Sequence, residues 1–291
     1  MNEFGFKIEK IDDKSSEYPY RLKQIKNPPK SLFCVGNLSL LSENSVAVVG
    51  ARKASGYGTW VADTIGKRLA ESGVTVVSGM AAGIDTAAHT GALKIPNGKT
   101  VAVLGCGIDV CFPAANRKLR DEIASRGLLI SEYEAGVSGS RYTFPMRNRI
   151  ISGISLATVV AEAGNNSGSL ITAERAAEQG REVLAVPGNI NSLNSFGCNK
   201  LIAEGATPLI FIDDIFNILN LKKLELSLKN TSEKLSGLEK EIFELIVKEG
   251  EVSVDFIALK LKKNVMEING CLSVLEIKGF VGSGLGKVFA V

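Results

Sequence analysis

From residue 45 onward the chain alternates short β-branched runs with helix-length segments, and this rhythm restricts the fold more than any other feature. Residues 46–49 read as a buried strand and 60–72 as a helix, then 74–77 as a strand and 85–93 as a helix. A third strand at 100–104 is followed by a helix around 116–125, and strands at 128–131, 156–161 and 183–186 continue the series. Helices at 169–179 and near 198–204 and a last strand at 209–211 complete it. Alternation at these lengths predicts an α/β fold, an extended Rossmann-like parallel sheet with right-handed crossovers and helices on both faces.

The strand ends add a second constraint. Gly50, Gly79, Gly105 and Gly188 fall just past the C-terminal ends of predicted strands, and Gly164 lies a little further out. In open parallel sheets this edge binds ligands, and helix N-termini point towards it. A glycine there lets backbone N–H groups approach an anion without interference from a Cβ. A tight strand-to-helix turn explains any one of these glycines. Several in one sheet point to a phosphate-lined crevice.

Around this core, residues 1–44 read as a short N-terminal extension. Tyr18-Pro19, Asn27-Pro28-Pro29 and Gly36-Asn37 punctuate it and leave room for little more than short helices or an edge strand. The Rossmann-like domain is expected over 45–226, its last helix running from Asp213-Asp214 to about Leu226. Residues 227–236 are polar and read as a linker. Within 237–291, helical patterns at 238–248, 253–261 and 264–278 precede a hairpin pairing 280–283 with 287–291. That order predicts a small winged-helix-like domain. Residues 235–291 carry seven lysines and eight acids, and Glu267 and Glu276 sit on the would-be recognition helix. Duplex-gripping winged helices show a basic face, so a partner-binding or regulatory role is favoured here.

Composition excludes several classes. Hydrophobic residues at 45% and charged residues at 22% describe an ordinary globular chain. No apolar run approaches the ~20 residues that span a bilayer, and the charged N-terminus lacks a signal-peptide centre, so no membrane partner and a cytoplasmic location are expected. Cys34, Cys106, Cys111, Cys198 and Cys271 form no C-x-x-C pair, so neither a disulfide framework nor a zinc cluster is indicated. The net charge is only +3, but all eleven arginines lie between Arg21 and Arg181. Arginine suits planar, bidentate phosphate contacts, so anion binding is expected in the first two thirds of the chain.

Most enzyme signatures are missing. The single histidine, His89, lies on a predicted helix with nothing to mark a Ser-His-Asp arrangement, and a structural role is favoured. The first turn reads Gly50-Ala51-Arg52-Lys53-Ala54-Ser55-Gly56, with no G-x-G-x-x-G for a dinucleotide. Gly98-Lys99-Thr100 resembles the end of a P-loop, but Leu93 occupies the position of its upstream glycine and the triplet precedes a strand. No metal or other cofactor is called for.

Positive signals gather on the arginine-bearing segments. Arg141-Tyr142-Thr143-Phe144-Pro145-Met146-Arg147-Asn148-Arg149 packs three arginines and two aromatics into nine residues without an acid. Guanidinium groups can hold a nucleic-acid backbone while aromatic faces stack bases, and this reading is preferred to a solvated loop whose arginines pair with acids elsewhere. Arg52 and Lys53 place two cations at the end of the first strand. Ser78-Gly79-Met80-Ala81-Ala82-Gly83-Ile84-Asp85 is a small-residue turn into a helix, with Asp85 as its N-cap. Ser167-Gly168-Ser169-Leu170-Ile171-Thr172 opens another helix with hydroxyls and free amides suited to an oxyanion.

Taken together, these segments resemble the DNA-processing protein A family (DprA, also called Smf), from about Tyr18 to Ala206. The marks are Val49-Gly50-Ala51-Arg52, the 78–85 turn, and Ala102-Val103-Leu104-Gly105-Cys106-Gly107-Ile108-Asp109. Phe144-Pro145-Met146-Arg147-Asn148-Arg149-Ile150-Ile151, Ser167-Gly168-Ser169-Leu170-Ile171-Thr172-Ala173 and Ala185-Val186-Pro187-Gly188 complete them. The resemblance implies a Rossmann-like core that binds single-stranded DNA in a basic pocket, forms homodimers, and loads RecA recombinase onto incoming strands during natural transformation. It implies that Arg52 grips phosphate and that Ser78, Gly79, Gly105, Arg147, Asn148, Ser167 and Gly168 line one crevice. The chain departs from the family in having Ala51 between Gly50 and Arg52, Tyr133-Glu134 where a proline is usual, and a shorter N-terminal region than some relatives.

The expectation is therefore a non-catalytic single-strand binder. The DNA-contacting set is Gly50, Arg52, Lys53, Ser78, Gly79, Gly105, Arg141, Phe144, Arg147, Asn148, Arg149, Ser167, Gly168 and Ser169. Arg52 and the Arg147/Arg149 pair would neutralise phosphates, and Phe144 or Tyr142 would stack a base. The competing reading is an enzyme that processes a nucleotide or sugar phosphate in the same crevice, with Glu132 or Glu162 as acid or base.

Overall fold

The computed structural model describes residues 5–221 and, further on, 235, 237–250, 252–278, 280–284 and 286–290. The chain divides into two compact units, residues 1–223 and 224–291. In the first, β1 (Glu9–Asp12), α1 (Tyr20–Lys23) and β2 (Ser31–Gly36) precede the alternating series. That series runs β3 (Ser45–Gly50), α2 (Gly56–Glu71), β4 (Thr75–Ser78), α3 (Ile84–Leu93), β5 (Thr100–Leu104), α4 (Arg117–Arg126) and β6 (Leu128–Ser131). It continues with α5 (Thr143–Ile154), β7 (Ala157–Glu162), α6 (Gly168–Glu178), β8 (Glu182–Ala185), α7 (Phe196–Ala203), β9 (Thr207–Pro208) and α8 (Asp214–Ile218).

The nine strands form one sheet in the order β1-β2-β6-β5-β4-β3-β7-β8-β9. All neighbours from β6 to β9 are parallel. β3 shows why both faces are covered. Ala47 and Val49 pack into one core with α5 and α6, while Val46 and Val48 pack into the other with α2 and α3. A strand buried on both faces reads as a continuous apolar run, as 46–49 does.

Three local features differ from the expectation. First, residues 1–44 supply two strands instead of one edge strand, and β2 pairs antiparallel with both β1 and β6. Leu32-Phe33-Cys34-Val35 is long enough to bury Leu32 and Cys34 in one core and pack Phe33 and Val35 into another. Second, the last strand is two residues earlier than 209–211. Leu209 still donates to the Ala185 carbonyl at 2.9 Å, but Ile210 and Phe211 turn out to solvent. Third, the arginine-rich segment, to which the sequence pattern assigns no element, is largely helical, because α5 starts at Thr143. Arg147, Ile150, Ile151 and Ile154 share its buried stripe at helical spacing.

The second unit contains α9 (Gly237–Glu249), β10 (Val252–Ser253), α10 (Val254–Leu261), α11 (Val265–Ile277), β11 (Val281–Gly284) and β12 (Lys287–Ala290). β12 pairs antiparallel with both β10 and β11. Ile242, Ile246, Ile257, Ile268 and Leu275 form its core. The expected linker and the end of the helix expected to reach Leu226 lie largely outside the described residues.

Candidate functional site

Strands β3 to β6 proceed towards one end of the sheet and β7 to β9 towards the other, so the winding reverses between β3 and β7. Loops leaving the carboxyl ends of two such strands diverge, and a crevice opens where they part. It has a volume of about 760 Å³. Its walls come from the β3–α2 turn, the α5 N-terminal half and the loop and helix after β7.

The β3–α2 turn is pinned at several points. The Ala51 amide donates to the Glu162 carbonyl at 2.7 Å, and the Ala51 carbonyl accepts from the Ile84 amide at 3.2 Å. The Glu162 carboxylate accepts from the Ser55 amide at 2.7 Å and from the Ser55 hydroxyl. Ser55 in turn caps α2. Gly50 fits because a Cβ there would lie 2.5 Å from Ile84. Arg52 and Lys53 thus project from a fixed turn, and both are exposed.

Arg52, Lys53 and Arg141 line the crevice, and none forms an ion pair with an acid among the described residues. The Arg52 guanidinium lies 5.6 Å from the centre of the Phe144 ring, and Phe144 stacks obliquely on Phe112 at 5.1 Å. Arg141 lies over Tyr142 at 4.8 Å and donates to its hydroxyl at 2.7 Å. Across from these cations, Ser167 caps α6, and Gly168 and Ser169 begin it. Three cations thus stand beside the positive end of a helix dipole, an arrangement that favours an anion.

Arg147 lines the crevice, as the resemblance implies, but its guanidinium also faces carbonyls of the protein itself. It is only 4% exposed. It donates to the Gly79 carbonyl at 2.6 Å, to the Val103 carbonyl, and to Asn148 Oδ1 at 3.3 Å. Burial pulls its guanidinium below the ordinary arginine value, opposed by the charge of Asp85. Asp85 is also buried, and burial raises its carboxyl while Arg147 opposes the rise. Its carboxylate accepts from the amides of Gly79 at 3.1 Å and Ala81 at 3.3 Å, so it fastens the β4–α3 turn and does not cap α3. Asn148 donates to the Gly168 carbonyl at 3.2 Å and thereby ties α5 to the start of α6.

Arg149 does not line the crevice. Its guanidinium grips both Glu132 oxygens, at 2.7 and 2.9 Å, the acid pairing that the preferred reading of the 141–149 segment had set aside. The acid lies 17 residues upstream, outside any local window. Ser78, Gly79 and Gly105 also lie behind the crevice. Ser78 donates to the Val48 carbonyl at 2.6 Å. A Cβ on Gly105 would lie 2.7 Å from the Phe144 ring, so this glycine makes room for the ring. Glu132 and Glu162, the candidate acid or base, are both engaged in holding structure. His89 is buried, with Nδ1 2.6 Å from the Thr100 hydroxyl. Burial, with Arg147 adding to it, pulls its pKa down to about 3.

Some lining residues carried no sequence signal. Asn194 enters from the loop after β8, and Asn166 from the loop before α6. Apolar periodicity finds cores, and these are polar groups on connections.

Residues 10–220 match the family model described as DNA recombination-mediator protein A. The DNA processing protein DprA of Streptococcus pneumoniae is 49% identical over 189 residues, covering 65% of this chain and 66% of that protein. Its Bacillus subtilis counterpart is 40% identical over 213 residues, covering 73% of this chain and 71% of that protein. The X-ray structure of DNA processing protein A from Streptococcus pneumoniae superposes with a TM-score of 0.70 at 44% identity, over 72% of this chain and 74% of that one. DNA processing protein A from Helicobacter pylori, whose structure was described for its single-stranded DNA binding mode, gives 0.68 at 30% identity, over 75% of this chain and 97% of that one. With an ordered match across most of its first unit, the chain belongs to the DNA recombination-mediator protein A family.

Proposed function

We propose that this protein binds single-stranded DNA in the crevice at the β3/β7 switch point, without turning the strand over chemically. The observation that carries the reading is the set of rim cations Arg52, Lys53 and Arg141, which have no acidic ion-pair partner among the described residues and share the crevice with the start of α6. A phosphate backbone supplies the missing negative charge. Phe144, which packs beside Phe112 and Arg52 and lines the crevice, offers a ring for one base. Base–aromatic stacking contributes about 1–3 kcal/mol.

Arg52 and Lys53 act as phosphate contacts in this reading, while Arg147, Asn148, Ser78, Gly79 and Gly105 set the walls. Glu132 and Glu162 are committed to Arg149 and to the Arg52 turn, which supports a binding role over an acid–base one. The protein acts as a homodimer and passes its strand to RecA. The description of the matching family as a recombination mediator supports the hand-over. Ile190 at 99% exposure and Leu193 at 86% support burial against a second copy. The C-terminal unit serves a partner-binding or regulatory role, which its net negative charge supports.

Fluorescence anisotropy with labelled oligothymidylate at two salt concentrations, beside a duplex of equal length, tests the binding reading. Preference for the single strand, weakening with salt, is expected. Equal affinity for the duplex, or no salt dependence, would overturn it.

A further inference from the structure

We infer that Tyr57 and Trp60 form a base-stacking step that carries a DNA single strand out of the crevice and along α2. This rests on the reading of the crevice as a single-strand site. The buried face of α2 comprises Gly58, Val61, Ala62, Ile65, Gly66, Leu69 and Ala70. Tyr57 and Trp60 lie off that stripe, 54% and 61% exposed, so core packing does not account for them. Residues three apart on a helix are neighbours, and the two ring centres are 6.4 Å apart with planes 31° from parallel. The pair therefore offers a nearly continuous aromatic surface to solvent.

Position and charge select the occupant. α2 begins at Gly56, three residues after Lys53, and Trp60 stands about 6 Å up the helix from there. The rings thus follow directly from the cationic rim. The groups around them do not repel a polyanion. Asp63 is neutralised by Lys94 at 2.6 Å, and the hydroxyls of Thr59 and Thr64 donate to the Ser55 and Trp60 carbonyls. A strand whose phosphates engage Arg52 and Lys53 brings its next bases onto these two faces. Stacking on them adds site length without base readout, because every base has a π-face.

The sequence contains a single tryptophan, so emission excited beyond the tyrosine absorption band reports on Trp60 alone. The full-length protein is titrated with oligothymidylate of about 20 nucleotides while anisotropy follows occupancy. Quenching of the tryptophan emission in step with occupancy is expected. Tyr57→Ala with Trp60→Ala is expected to raise Kd about fivefold or more, with Trp60→Phe recovering part of the loss and thermal unfolding unchanged. Saturating binding with unaltered emission, or wild-type affinity in the double variant, overturns the inference and leaves the crevice reading standing. Absence of any strand binding sinks both. A change of emission on dilution of the DNA-free protein would assign the rings to a second copy of the chain and overturn the inference.

Discussion

The guanidinium of Arg147 closes directly over Gly79. Its Nη1 donates to the Gly79 carbonyl at 2.6 Å, and a Cβ on Gly79 would lie 2.5 Å from the same nitrogen. The β4–α3 turn and the α5 helix are therefore locked by a contact that accepts no side chain. Gly79→Ala is expected to lower the unfolding free energy by about 1–3 kcal/mol, the usual cost of forcing extra volume into a packed site. Arg147→Ala is expected to cost about 1–3 kcal/mol, because the buried Gly79 and Val103 carbonyls lose their donor and Asp85 loses the positive charge that opposes its burial. Asp85→Asn combined with Arg147→Ala should recover part of that loss. Urea denaturation of the three variants provides the measurement, and equal losses in the single and double Arg147 variants would contradict an electrostatic coupling between Arg147 and Asp85.

Two arginines close in sequence to the crevice signals should separate in their effects. Arg52→Ala removes one charged contact to phosphate, worth about 1.5–3 kcal/mol, so Kd should rise roughly tenfold to a hundredfold. The slope of log K against log salt should fall by about 0.7. Arg149→Ala leaves Glu132 without its partner and should reduce stability while leaving affinity and slope at their wild-type values. Salt titrations of both variants decide the matter.

Gly168 offers a separation of binding from folding. A Cβ there would meet no protein atom within 4 Å, and the residue opens α6 beside the crevice. Gly168→Ala should leave stability unchanged or raise it by up to about 1 kcal/mol through the unfolded chain. If a phosphate approaches this backbone, the methyl group stands in its way and affinity should fall severalfold. Thermal melts beside anisotropy titrations will show whether the two properties part.

His89 gives a pH signature. In the folded protein it stays neutral down to about pH 3, whereas the unfolded chain takes up its proton near ~6.5. The unfolded state thus binds the extra proton between these values, and stability must fall as pH drops below about 6.5. The limiting slope is about 1.4 kcal/mol per pH unit. The raised carboxyl of Asp85 acts in the opposite sense, so the informative quantity is the difference between wild type and His89→Gln. That difference should grow between pH 6.5 and 5 and stay flat above 7.5.

The sequence alone determined the parallel core of the sheet. Each strand from 46–49 to 183–186 emerged close to its final bounds, because burial on both faces demands a continuous apolar run that any reader of the chain can see. The turns with Gly50, Arg52 and Ser167 were legible for a related reason, since a strand feeding a helix needs small or capping residues there. What the tertiary structure decided was which cations face the ligand. Arg147 and Arg149 read the same in a charge-rich segment. In the fold, helical spacing turns Arg147 inward onto Gly79 beside Asp85, and Glu132 approaches Arg149 across 17 residues of chain. Arg52, Lys53 and Arg141 keep their charges unpaired by acids among the described residues. Guanidinium chemistry is identical at every arginine, and only the three-dimensional placement of acids and carbonyls determines which charges remain free to bind.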